Sequence, residues 1–210
     1  MDTLLIITVL VVIFALAFDF INGFHDTANA IATSVSTRAL KPRVAVLLAA
    51  VMNFVGAMTF VGVAKAVASG IVDPFSLNAF EGDTTGSVVI LAALCSAITW
   101  NLLTWYFGIP SSSSHTLIGS IAGAAVASAG MNILNYEGFF KILQALIISP
   151  ILALTLGFIV MKLFKFIFHR SPLYGTTKAF RLTQIGTAAL QSFTHGTNDA
   201  QKAMGIITMA

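Results

Sequence analysis

The chain has 210 residues, of which 57% are hydrophobic and 9% charged, and its mean hydropathy is +0.92. A soluble domain carries about 25% charged residues, so this chain has too few charges to cover a water-facing surface and is expected to cross a membrane several times. A cytosolic enzyme, a nucleic-acid binder and a disordered scaffold are excluded. The formal charge of +3 comes from Lys and Arg gathered at loops, which signals topology rather than nucleic-acid binding.

In chain order, apolar runs fall at about 3–21, 44–68, 87–108, 116–129, 139–161 and 185–210. The first is read as a retained helix, because Asp2 stands where a signal peptide would be basic and the apolar sequence continues past any cleavage point. The run at 116–129 is too short to cross alone and follows Pro110 and four serines, so it is expected to start inside the membrane. Ser111 is expected to cap it, and the small residues from Gly119 to Ala129 suit close helix packing. Cys95 is the single cysteine, which excludes an intrachain disulfide; inside an apolar run it is expected in the core.

Loop charges orient the spans. Arg38, Lys41 and Arg43 follow the first run, and Lys162, Lys165, Arg170, Lys178 and Arg181 follow the fifth, so both loops are expected in the cytoplasm. The mixed basic and apolar stretch from Lys162 to Arg170 should lie at that interface. Between Ser69 and Gly86 there is no Lys or Arg but Asp73, Glu81 and Asp83 occur, so that loop is placed outside, with Lys65 snorkelling toward it. The chain is then outside at 86 and again near 137. A re-entrant hairpin over 87–128, with Pro110 to Ser114 at its buried tip, meets this condition; irregular backbone at that depth needs protein or a watery cavity around it.

Two polar segments match at an offset of 173 residues: Asn22-Gly23-Phe24-His25-Asp26-Thr27-Ala28-Asn29-Ala30 and His195-Gly196-Thr197-Asn198-Asp199-Ala200-Gln201-Lys202-Ala203. The charge-derived topology makes the two helices antiparallel. Inverted repeats with polar helices near the midplane are typical of secondary transporters. Asn22, Asp26, Asn29, Asn198 and Asp199 offer hard oxygens for a cation, or aspartates for a proton. The competing reading is helix-to-helix hydrogen bonding. Asp19 either lines the same cavity or faces a neighbouring helix. The run Pro110-Ser111-Ser112-Ser113-Ser114-His115-Thr116 offers amides and hydroxyls to an anion; a serine-rich surface turn is the alternative. His115 either titrates near the anion or simply packs.

At these motifs the chain resembles the PiT family of inorganic phosphate transporters, from about residue 10 to its end. The resemblance implies symport of phosphate with sodium or protons. It assigns Asp26 and Asp199 to cation coupling and substrate gating, Ser112, Ser113 and Ser114 to phosphate, and Asn29 and Asn198 to positions near the bound ions. The family has a second hairpin beyond this sequence, so an incomplete transporter is expected.

The expected molecule is an all-α, polytopic protein of the cell membrane. Residues 1–170 form a first repeat and 171–210 the start of a truncated, inverted second one. Its expected phosphate ligands are Ser112, Ser113, Ser114, Asp26, Asn198 and Asp199, with Asn22, Asp26, Asn29, Asn198 and Asp199 coupling the cation and Asp26, Asn29 and Asp199 as sodium ligands. No cofactor is expected beyond transported phosphate and its sodium ion or proton. The partners are those ions and the lipid bilayer, with a homodimer supplying the second hairpin as an option. Sulfate is the rival substrate. The rival of another class is a membrane-embedded serine hydrolase using Ser111 to Ser114 with His115 and Asp26 or Asp199.

Overall fold

A computed structural model describes residues 3–59, 62–72 and 84–209. Among them are seven α-helices: α1 (Thr3–Ser36), α2 (Pro42–Thr59), α3 (Gly62–Gly70), α4 (Thr85–Tyr106), α5 (Ser113–Ala129), α6 (Tyr136–Phe168) and α7 (Leu173–Ile207). Helices α1, α2, α4 and α6 are long and apolar enough to cross a membrane. In lipid the backbone must satisfy its own polar groups, which a continuous helix does. The loop holding Asp73, Glu81 and Asp83 lies outside the described residues, as does the Lys65 side chain.

The core is built where α4 packs on α1 with one side and on α5 with another. Val11, Ala15 and Phe18 of α1, Ala93, Leu94 and Ala97 of α4 and Leu117, Ile121 and Ala125 of α5 belong to one buried cluster. Ala15, Ala93, Ala97 and Ala125 alternate with larger apolar residues on these surfaces, as suits helices in lipid, which associate by close packing rather than by escaping water. In contrast, α6 buries no residue. Ile147, Ile151, Leu154 and Phe158 are all exposed, an apolar face that suits lipid or further protein rather than water. Pro150 sits inside this helix, a position membrane helices accommodate.

Helices α1 and α7 run antiparallel. Asn22 donates to Asp199 at 2.9 Å, and twelve residues further along α1 Ser34 donates to the Gln184 carbonyl, fifteen residues earlier on α7. The two ends of the molecule each gather segments expected on one side. Val72 bridges to Leu134, whereas Arg38, Gly175 and Lys178 line a common cleft at the other end.

Several expectations change. The run at 44–68 divides into α2 and α3, and the Gln201 side chain accepts from the amides of Val63 and Ala64 at 2.9 and 3.3 Å, serving amides the first turn of α3 leaves free. The stretch from Lys162 to Arg181 is not a loop. Helix α6 continues to Phe168 and α7 begins at Leu173, with Phe180 packed edge-on against Phe164 and Phe168. Lys162 lies 4.6 Å from the centre of the Phe158 ring. Cys95 is exposed on α4 rather than in the core, since lipid accepts a small apolar side chain as readily as the interior does.

Candidate functional site

Helices α4 and α5 form a hairpin whose tip meets α1 at Asp26. Helix α1 runs on for ten residues to Ser36, about 15 Å of helix at 1.5 Å per residue, so the tip stops well short of the end of α1. The helix cap is Ser112, not Ser111: its backbone is extended and its hydroxyl accepts from the His115 amide. Starting α5 at Ser113 turns that residue, not its neighbours, toward α1. Trp105, at the other arm of the tip, packs edge-on against Phe24 of the first motif at 5.5 Å between ring centres.

A chain of hydrogen bonds and ion pairs joins α1, α5, α7 and α2. His25 Nδ1 lies 3.1 Å from Asp26 Oδ1, and the Ser113 hydroxyl donates to Asp26 Oδ2 at 3.0 Å. Lys202 Nζ donates to Ser113 Oγ at 3.1 Å and pairs with Asp199 Oδ1 at 2.8 Å. Asp199 Oδ2 in turn accepts from Asn22 Nδ2 at 2.9 Å and lies 3.2 Å from His195 Nε2. The other ring nitrogen of His195 is 2.8 Å from Asn53 Oδ1, and the Asn53 amide donates to the Ala49 carbonyl, which fixes its oxygen toward the histidine. Lys202 is buried, and its ammonium is stabilised there by the Asp199 carboxylate; a buried charge without such a partner would be costly.

Close approach of α2 and α7 makes the second half of this chain possible. A methyl group added at Gly196 would collide with the Asn53 backbone, and one at Gly56 with the Phe193 carbonyl. Gly23, which matches Gly196 in the repeat, has open space around it. The matched glycines therefore differ in what they do: one seats a helix crossing and the other does not.

Beside the chain lies a cavity of about 630 Å³ lined by Asp19, Asn22, Asn53, His195 and Asp199 among apolar side chains such as Phe20 and Val46. Asp19 thus faces the cavity shared by both motifs. Asn22 Oδ1 is buried there without a hydrogen-bond partner.

Of the expected site residues, the structure brings together Asn22, Asp26, Ser113 and Asp199. Asn29 and Asn198 are exposed, the latter donating to the Thr194 carbonyl. Ser114 is half-buried beside the tip. Ser112 and His115 line a separate cleft of about 430 Å³ with Ser96, Trp100, Ser111 and Thr116. Asn53 lies outside every motif, and His195, Gln201 and Lys202 lie in the second motif without a role assigned to them by the sequence. A lysine inside an apolar helix signals function by default, and Lys202 occupies the repeat position of Asn29, so that signal was available.

This geometry does not suit nucleophilic catalysis. His115 lies in the separate cleft, and Ser113 donates its proton to a carboxylate while accepting from an ammonium. The serine–histidine pairing that a hydrolase of this kind would use is therefore not formed at Ser113.

The sequence profile of the phosphate transporter family matches residues 22–210. A probable low-affinity inorganic phosphate transporter of Bacillus subtilis (strain 168) is 70% identical over 210 residues, covering 100% of this chain and 61% of the relative. One from Streptomyces halstedii is 42% identical over 91% of this chain and 87% of its own. The solved structure titled the sodium-dependent phosphate transporter has the same fold, with a TM-score of 0.77 and 23% identity over 97% of this chain and 66% of that one. The chain thus spans 61% of the length of the Bacillus subtilis relative.

Proposed function

The chain belongs to the phosphate transporter family, one of multi-pass membrane transporters and not of enzymes, and on that premise we propose that it takes part in symport of inorganic phosphate across the cell membrane. The observation that carries this reading is Ser113. Its hydroxyl stands between Asp26 and Lys202, so an anion accepting hydrogen bonds at the hairpin tip would compete directly with a motif carboxylate for the same donors. Binding of phosphate and the charge of Asp26 are thereby linked. In the proposed cycle Ser112, Ser113 and Ser114 with the free amides of α5 receive the anion, Lys202 offsets its charge, and Asp26 and Asp199 hold the coupling cation. Asn22, Asn29 and Asn198 lie on the helix stretches that carry these aspartates. Antiparallel α1 and α7 support an inverted repeat, in which matched motifs exchange roles as access alternates.

For the coupling ion, the proton is the reading the geometry favours. Lys202 already places a positive charge on Asp199 Oδ1, where a sodium ion would sit. His195 Nε2 lies 3.2 Å from Asp199 Oδ2, so a side chain able to carry a proton stands directly against the motif carboxylate. Sodium is the second reading, favoured by the buried and unpartnered Asn22 Oδ1 beside Asp19. Radiolabelled phosphate uptake into proteoliposomes, with pH and sodium gradients imposed separately, tests both. Concentrative uptake driven by the pH gradient alone supports the proton; uptake that follows only the sodium gradient overturns it. Sulfate as a competitor tests substrate choice, with phosphate expected to be preferred.

A further inference from the structure

The geometry points to a second phosphate-group site, separate from the transport path, at the cytoplasmic corner where α1 ends and α7 begins; its preferred ligand is the phosphodiester headgroup of an anionic lipid.

Two adjoining clefts, each of about 500 Å³, open at this corner and share Arg38 and Arg181. They differ in chemistry. One adds Lys178 to these arginines over an apolar floor that includes Leu182 and Ile185. The other adds the hydroxyl-bearing residues Ser36, Thr37, Thr176 and Thr177. Guanidinium, ammonium and hydroxyl donors are the groups that recognise phosphate oxygens, and an apolar floor beside them suits the start of an acyl chain.

Three cations converge here without a counter-charge. The sequence has no Asp or Glu between Asp26 and Asp73, nor between Glu137 and Asp199. Among the described residues, the side chains of Arg38, Lys178 and Arg181 form no ion pair, unlike Lys141, which pairs with Glu137, and Lys202, which pairs with Asp199. Like charges held together repel unless an anion joins them. Arg38 is moreover held in place, since it adopts φ 58° just past the end of α1, and the Ala39 and Leu40 amides both bond back to the Ser34 carbonyl. The expected topology puts this corner at the cytoplasmic leaflet, where basic pockets between helices meet anionic headgroups.

The test is native mass spectrometry of the full chain released from detergent micelles and titrated with phosphatidylglycerol, phosphatidylcholine or inorganic phosphate. Phosphatidylglycerol is expected to bind in preference to phosphatidylcholine. Arg38→Gln, Lys178→Gln and Arg181→Gln should each weaken it by roughly fivefold. Lys162→Gln, at the same end of the molecule but outside both clefts, should leave it unchanged, and Arg38→Lys should retain most of the binding. These side chains are exposed, so folding is not expected to change. If inorganic phosphate displaces the lipid with the same dependence on the three residues, the site also serves the free ion. Equal binding of both lipids, or equal losses in Lys162→Gln, overturns the proposal in favour of general surface attraction. Neither result bears on transport through Ser113 and Asp26.

Discussion

Ser113 and Asp26, 87 positions apart in sequence, are joined by a hydrogen bond of 3.0 Å from the serine hydroxyl to the carboxylate. The hairpin tip is thereby held against the first motif by a bond that exists only while Asp26 is free to accept it. A charged acceptor is worth about 1.5–3 kcal/mol in such a bond. Ser113→Ala should therefore lower apparent phosphate affinity roughly tenfold or more, measured as the concentration dependence of uptake, and wild-type affinity would remove the tip from the anion path.

Ser112 should behave differently. As the cap of α5 it accepts from the His115 amide, so Ser112→Ala is expected to cost about 1 kcal/mol of stability and to affect transport less than Ser113→Ala. Thermal denaturation in detergent, run beside uptake, separates the two effects.

Asp26→Asn retains size and a hydrogen-bond acceptor but removes the charge. Uptake driven by either gradient should fall to background while membrane insertion persists. Uptake at the wild-type rate would return Asp26 to a packing role.

Asp199→Asn should do more harm, because it leaves the Lys202 ammonium buried without its carboxylate. Breaking one partner of a buried pair costs about 3–5 kcal/mol. The double variant Asp199→Asn/Lys202→Met should recover much of that stability and still not transport. A double variant no more stable than Asp199→Asn would show that the pair does not act as a unit.

The matched glycines give an internal comparison. Gly196→Ala drives a methyl group into the Asn53 backbone and is expected to destabilise by about 1–3 kcal/mol. Gly23→Ala has open space and should be neutral or stabilise by up to about 1 kcal/mol through helix propensity. Equal effects at both positions would contradict the tight α2–α7 crossing.

Hydropathy along the chain was enough to mark the apolar spans, and the clusters of polar residues inside them located the motifs around Asp26, Asp199 and Ser113; the placement of Lys and Arg gives the expected sides of the membrane. These properties vary along the chain, and depth in a bilayer is set by local composition. The sequence did not decide which face of each helix would turn inward. Asn29 and Asn198 were expected at the site and are exposed, whereas Lys202, His195 and Asn53 form its second half. In water an apolar stripe reveals the inner face, but in lipid both faces of a helix are apolar, and packing of small residues decides the rotation instead. The partners that fix it lie far away in sequence: Asn22 and Asp199 are separated by 177 positions, and Asn53 and His195 by 142. Only the close crossing at Gly56 and Gly196 brings α2 and α7 near enough for Asn53 and His195 to meet.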